Sequence, residues 1–259
     1  MKQTIVIIGI GEMGGVFAKG FLRSGYSVYP ITRNMNLPDA ITQIPDPVLV
    51  MVAVAEKDLP DILAGMPDNW RGRLGLLQNE LLPADWKRYH ISSPTVISVW
   101  FEKKKGQDYK VFIPSPIYGP MADIISNSLK TIEIPCRILT TEDELLFELV
   151  LKNLYILTLN IAGLESGGTA ENLWFKNNAL ARSVVHEIID LEAWLTRSEL
   201  PRECLIEGLA QAIKAEPNHK CVGRSAAVRL KRAVKIADEA GLAIPKIREI
   251  YAHQSRLKS

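Results

Sequence analysis

Thr4-Ile5-Val6-Ile7-Ile8-Gly9-Ile10-Gly11-Glu12-Met13-Gly14 is an apolar, β-branched run that breaks into glycines. The glycines have the spacing G-x-G-x-x-G. Helical spacing follows directly, with Val16, Phe17, Phe21 and Leu22 on one side and a stop near Gly25. Strand, glycine turn and helix in that order are the context in which this pattern binds a dinucleotide. Gly9 permits the tight turn, Gly11 lets the backbone approach a pyrophosphate, and Gly14 lets the helix pack against the strand. Free N–H groups and the positive end of the helix dipole then face the anion. The expected cofactor contacts are therefore Gly9, Ile10, Gly11, Glu12, Met13 and Gly14.

The next strand selects the cofactor. An NAD site places an acid at its end, against the ribose 2′-hydroxyl. Ser27–Ile31 is followed instead by Thr32-Arg33. The planar fork of Arg33 suits a 2′-phosphate, and Thr32 adds a hydroxyl, so NADP(H) is expected. Val48–Val54 reads as a third, buried strand ending in small residues, and Val54 is placed beside the cofactor.

Further strands are expected at Leu74–Leu77, Thr95–Trp100, Tyr109–Ile113 and Thr131–Leu139. Helices are expected at Met13–Ser24, Leu59–Gly65 and Pro120–Leu129, with a short helical possibility in 34–47. After residue 140 only helical patterns remain: 143–163, 170–196, 201–214, 222–240 and 245–256. Strands alternating with helices, then helices alone, imply an α/β domain followed by an all-α domain. The expected architecture is an N-terminal Rossmann-type doubly wound sheet, residues 1–140, binding NADP. A helical substrate and dimerisation domain, residues 141–259, follows it.

Composition excludes several classes. The 259 residues are 47% hydrophobic and 23% charged, too apolar for a disordered chain. Net charge is +2, and neither half is strongly basic, which argues against a nucleic-acid partner. Cys136, Cys204 and Cys221 form no C-x-x-C pair, and their odd number fits poorly with a disulfide framework. Ile5–Ile10 is too short for a signal-peptide core, so a cytoplasmic protein with no membrane partner is expected. Leu145–Leu164 has the length of a membrane span but contains Glu148, Lys152, Asn153, Thr158 and Asn160. Charges at that depth cost at least ~2.5 kcal/mol each, so a buried helix of a soluble protein is the better reading. His90, His186, His219 and His253 have no metal-ligand spacing, and no metal is expected.

Lys152 is the candidate catalytic residue. An ammonium amid Val150, Leu151, Leu154 and Tyr155 is partly desolvated, which lowers its pKa. A proton donor tuned toward neutrality suits general-acid catalysis. A lysine that snorkels to the surface is the competing reading. Asn160 lies eight residues on, about 80° round a helix, and can share the face of Lys152. Asn79 follows a sheet strand and can reach a cofactor ribose or the catalytic lysine; an ordinary turn Asn is the alternative. Glu102-Lys103-Lys104-Lys105-Gly106 reads as a solvated basic turn. Arg229, Arg232 and Lys235 recur at helical spacing, and an exposed face is favoured over contacts to a substrate carboxylate.

Taken together these segments resemble the ketopantoate reductase (2-dehydropantoate 2-reductase) family over essentially the whole chain. Gly9–Gly14 resembles its glycine loop, and Arg33 falls at its NADP-selecting arginine. Gln78-Asn79 resembles its Gln-Asn-Gly segment, and Lys152 falls at its catalytic lysine. Asn160 matches a substrate-side Asn, and Gly241–Pro245 resembles a late Gly-to-Pro segment. The chain departs from the family at Glu80, Ile156, Ala55 and Ser225, where a Gly, an Asn, a Lys and an acid are usual. The resemblance implies NADPH-dependent reduction of a small 2-keto acid or related carbonyl compound. Lys152 would be the general acid, with Asn79 and Asn160 orienting the substrate. It also implies that the helical domain can form a homodimer. A 3-hydroxyacid dehydrogenase-like or pyrroline-carboxylate reductase-like enzyme stays open, as does a non-catalytic NADP-binding sensor or partner module.

Overall fold

The structure is a computed structural model and describes residues 3–256. It packs as two compact units, one up to Leu149 and one from Val150 onward. The division falls inside one long helix.

The first unit is built on strands β1 (Thr4–Ile8), β2 (Ser27–Ile31), β3 (Leu49–Val52), β4 (Leu74–Leu76), β5 (Thr95–Ile97), β8 (Ser115–Tyr118) and β9 (Cys136–Ile138). They form one sheet in the order β2-β1-β3-β4-β5-β8-β9, parallel except for the antiparallel β5–β8 pair. A separate antiparallel hairpin joins β6 (Phe101–Lys103) to β7 (Tyr109–Val111). The helices are α1 (Glu12–Arg23), α2 (Leu37–Gln43), α3 (Leu59–Ala64), α4 (Asp68–Arg71), α5 (Pro83–Lys87) and α6 (Ala122–Lys130).

Because both faces of a parallel sheet are covered, its central strands are apolar on both sides. Ile5, Ile7, Leu49 and Met51 pack with Phe17 and Phe21 of α1 and Ile125 and Leu129 of α6. Val6, Ile8, Val50 and Val52 alternate with them and are also buried. Strand β1 has β2 on one side and β3 on the other, so the winding reverses there. Ligands of such sheets bind beyond the strand C-termini at that reversal, and the Gly9–Gly14 loop lies at that end of β1.

Two prolines sit within strands. Pro30 is in edge strand β2, where the missing N–H is tolerated. Pro116 is in interior strand β8 and accepts from the Ser98 N–H at 2.9 Å. That proline hides β8 from a reading by periodicity. The expected strand Thr95–Trp100 ends at Ile97, and Phe101 opens the hairpin instead.

The second unit is helical. Helix α7 (Glu142–Ser166) enters it, followed by α8 (Asn178–Thr196), α9 (Arg202–Ala215), α10 (Ala226–Ala240) and α11 (Pro245–Arg256). The expected helix 170–196 is in fact a π-helical turn, Asn172–Lys176, and then α8. The expected helix over 222–240 starts at Ala226, because Cys221–Ser225 forms a loop. Buried Glu187 of α8 accepts from the Lys246 and Ile247 N–H groups, each at 2.8 Å, and so caps α11.

Helix α7 is long and apolar enough to cross a membrane, but its apolar window is 78% buried within the protein. Its polar side chains are put to use. Glu148 pairs with Arg137 of β9, and Asn153 donates to Glu192 of α8 at 3.2 Å. All three cysteines are free thiols. Burial raises the Cys136 pKa to about 12 and that of Cys221 to about 11.

Candidate functional site

The glycine loop separates packing needs from ligand needs. Gly9 has φ +92°, and a Cβ there would stand 2.8 Å from the Ala53 carbonyl oxygen. At Gly14 a Cβ would stand 2.1 Å from the Gly9 carbonyl oxygen. Both are glycine because the loop, β3 and α1 come together closely. A Cβ on Gly11 would meet nothing within 4 Å. No neighbour within the protein explains glycine there, whereas close approach by a ligand does. Gly11 is also the N-cap of α1 and has no side chain to occupy the first N–H groups. The loop therefore fits a dinucleotide pyrophosphate.

Thr32 and Arg33 lie exposed just past β2. The Arg33 side chain is 87% exposed, with Asp58 at 3.4 Å as an ion-pair partner. Such a surface pair is weak, and its guanidinium remains accessible to a phosphate. Val54 lies past β3, half-buried, and its carbonyl accepts from Gln78 at 3.3 Å. Gln78 is buried and also donates to the Val52 carbonyl at 2.7 Å. It ties the end of β4 to the end of β3, a positioning role that a sequence reading does not assign. The adjoining Asn79 is exposed. Glu80 has φ +57°, the left-handed conformation that a glycine adopts freely. The turn at Asn79-Glu80 thus has a shape that a glycine at position 80 would also take.

In the second unit, Lys152 lies on α7 and keeps part of its surface exposed. Protein nonetheless surrounds it closely enough to lower its pKa to about 7. Burial is the larger cause and the charge of Arg229 the smaller. The ammonium lies 5.7 Å from the ring centre of Tyr155, one turn on, and that ring packs against His219. Asn160 is buried. It donates to the Ile156 carbonyl at 2.7 Å and accepts from the Gly223 N–H at 3.2 Å. Its amide anchors the loop that leads into α10. Ile156 contributes its carbonyl, and Ser225 is the N-cap residue of α10.

The expected exposed face on α10 needs correction. Lys231 and Lys235 are exposed, but Arg229 is 9% exposed and Arg232 is half-buried. Helical spacing of basic residues spreads over more than one side of α10, and the buried one acts electrostatically on Lys152. The basic turn after β6 also differs from expectation. Lys104 and Lys105 are exposed, but Lys103 is half-buried and pairs with Glu12 of the glycine loop at 3.6 Å. Among the described residues, no group of three or more His, Cys, Asp or Glu side chains is arranged to hold a metal.

No family model matches the chain, and no curated protein does. Solved structures do. A 2-dehydropantoate 2-reductase from Methylococcus capsulatus superposes with a TM-score of 0.73 at 14% identity, over 99% of this chain and 97% of that one. A ketopantoate reductase from Staphylococcus aureus, described as dimeric, gives 0.67 at 14% identity over 96% of each chain. A D-mandelate dehydrogenase solved with NADH gives 0.63 at 14% identity over 98% of each. The chain thus has the fold of the ketopantoate reductase structures, with a Rossmann-type sheet and a helical C-terminal region.

Proposed function

We propose that the protein is an NADPH-dependent oxidoreductase that reduces a small 2-keto acid or related carbonyl compound to its hydroxy product. The observation that carries this reading is the place of Lys152, half-buried on apolar α7 with its ammonium 5.7 Å from the Tyr155 ring centre, where burial and the charge of Arg229 lower its pKa. The open glycine loop with Arg33 beyond β2 supports the nicotinamide part of the reading.

Gly11 and the start of α1 would hold the diphosphate, and Arg33 with Thr32 the 2′-phosphate. A reduced nicotinamide held there would be the source of the hydride, a proton with two electrons, that the carbonyl carbon needs. Lys152 hydrogen-bonds the carbonyl oxygen and gives it a proton as the C–O π bond breaks. Neutral Lys152 then takes a proton back from water. Asn79 assists on the cofactor and substrate side. Asn160 keeps the loop before α10 in place beside the helix that carries Lys152.

The test is a panel of 2-keto acids and related carbonyl compounds, incubated with NADPH or NADH and followed by loss of the reduced cofactor. Oxidation of NADPH by at least one compound is expected, with NADPH bound more tightly than NADH and Arg33→Asp reversing that order. Equal affinity of the native protein for the two cofactors would sink the NADP assignment. Tight NADPH binding with no carbonyl reduced would instead make the protein a cofactor-binding module without catalysis.

A further inference from the structure

The β6–β7 hairpin lies along α1. Strand alternation puts Phe101 and Lys103 on the same face of β6, with Glu102 on the other. Phe101 packs on Phe17 of α1 with ring centres 6.1 Å apart. Two residues on, Lys103 reaches Glu12, the first residue of α1, at 3.6 Å. Opposite Lys103 in the hairpin stands Tyr109, whose ring carries the Lys19 ammonium at 5.5 Å. Glu12, Gly15 and Lys19 follow one another along one side of α1. With Gly11, Lys103 and Tyr109 they line a cavity of about 300 Å³ that opens at the glycine loop.

Glu12 poses an electrostatic problem. A carboxylate in the first turn of a helix is favoured by the helix dipole. The same dipole and N–H groups are what a cofactor diphosphate uses, and two anions at one helix end repel each other. Lys103 is built to offset this. Besides Glu12, its ammonium donates to the Lys104 carbonyl at 3.2 Å and to the Gln107 carbonyl. The hairpin turn therefore fixes it in place, and its side chain is only 22% exposed.

We propose that Lys103 is a cofactor-positioning residue, an ammonium held by the β6–β7 turn that neutralises Glu12 and lets the glycine loop accept a diphosphate. The inference rests on the dinucleotide reading given above. It assigns the hairpin a task in binding, set by the charge on Lys103 and conditional on the charge on Glu12.

The experiment is a double-mutant cycle on NADPH affinity, measured by cofactor fluorescence with folding checked by thermal melting. Lys103→Met is expected to weaken NADPH binding about tenfold, equivalent to about 1.4 kcal/mol. Lys103→Arg should bind like the native protein. Glu12→Gln alone sets the second reference, and Lys103→Met added to it should weaken binding less than about twofold, because the charge needing neutralisation is gone. A merely structural lysine would cost the same in either background. Native-like binding by Lys103→Met would overturn the proposal, as would an equal loss from Lys103→Met with and without Glu12→Gln. If the native protein fails to bind NADPH, the dinucleotide reading itself falls, and this inference with it.

Discussion

At the residue scale, the glycines of the loop make separable predictions. A methyl group on Gly14 would collide with the Gly9 carbonyl, whereas one on Gly11 would enter open space. Gly14→Ala should therefore lower the melting temperature, with a cost of roughly 1–3 kcal/mol for overpacking. Gly11→Ala should melt like the native protein yet bind NADPH more weakly. Melting curves and cofactor titrations of the two variants check this. Equal cofactor affinity in native protein and Gly11→Ala would mean that no ligand approaches Gly11. The sequence pattern alone could say that three glycines were needed. It also gave each a task, but the atoms that forbid a side chain at Gly9 and Gly14, the Ala53 and Gly9 carbonyls, belong to the fold.

At the element scale, the proposed chemistry rests on α7. Its lysine is expected to donate a proton, and only the ammonium can do so. With a pKa lowered to about 7, Lys152 is charged below that pH and neutral above it. Carbonyl reduction should therefore fall as pH rises through about 7, a decline read from kcat/KM against pH. A flat profile across that range would remove Lys152 as the acid. The same shift bears on stability with a definite sign. In the unfolded chain the lysine stays charged up to about 10.5, so the folded state is penalised fully below 7. That penalty is relieved as pH rises from 7 toward 10.5.

The elements also show where reading by periodicity stops. Helix α7 and Pro245–Arg256 were legible, because long apolar spacing and a proline start leave little choice. Strand β8 was not, because Pro116 argues against an interior strand until its carbonyl is seen to do the pairing. Of the β6–β7 hairpin, the turn and Tyr109–Ile113 were legible, but β6 was not, because Phe101-Glu102-Lys103 merges with the apolar run before it. The tasks of Lys103 and Arg229 were hidden for a related reason. The partner of Lys103 is far back in the chain at Glu12, and the burial of Arg229 depends on tertiary packing.

At the scale of the whole molecule, the proposed work divides between a unit with a dinucleotide-type glycine loop and a unit whose Lys152 has a lowered pKa. The candidate cofactor residues were legible because a local motif carries them. The substrate was not, because Glu80, Ile156 and Ser225 are where the chain departs from the pattern that it resembles. The central claim is that cofactor binding and proton donation reside in different residues and can be separated. Its most direct test is Lys152→Ala, compared with native protein for NADPH affinity and for turnover of the best carbonyl substrate. Unchanged NADPH affinity with turnover lowered at least ~10²-fold is predicted, the usual contribution of a general acid. Unchanged turnover would contradict the account.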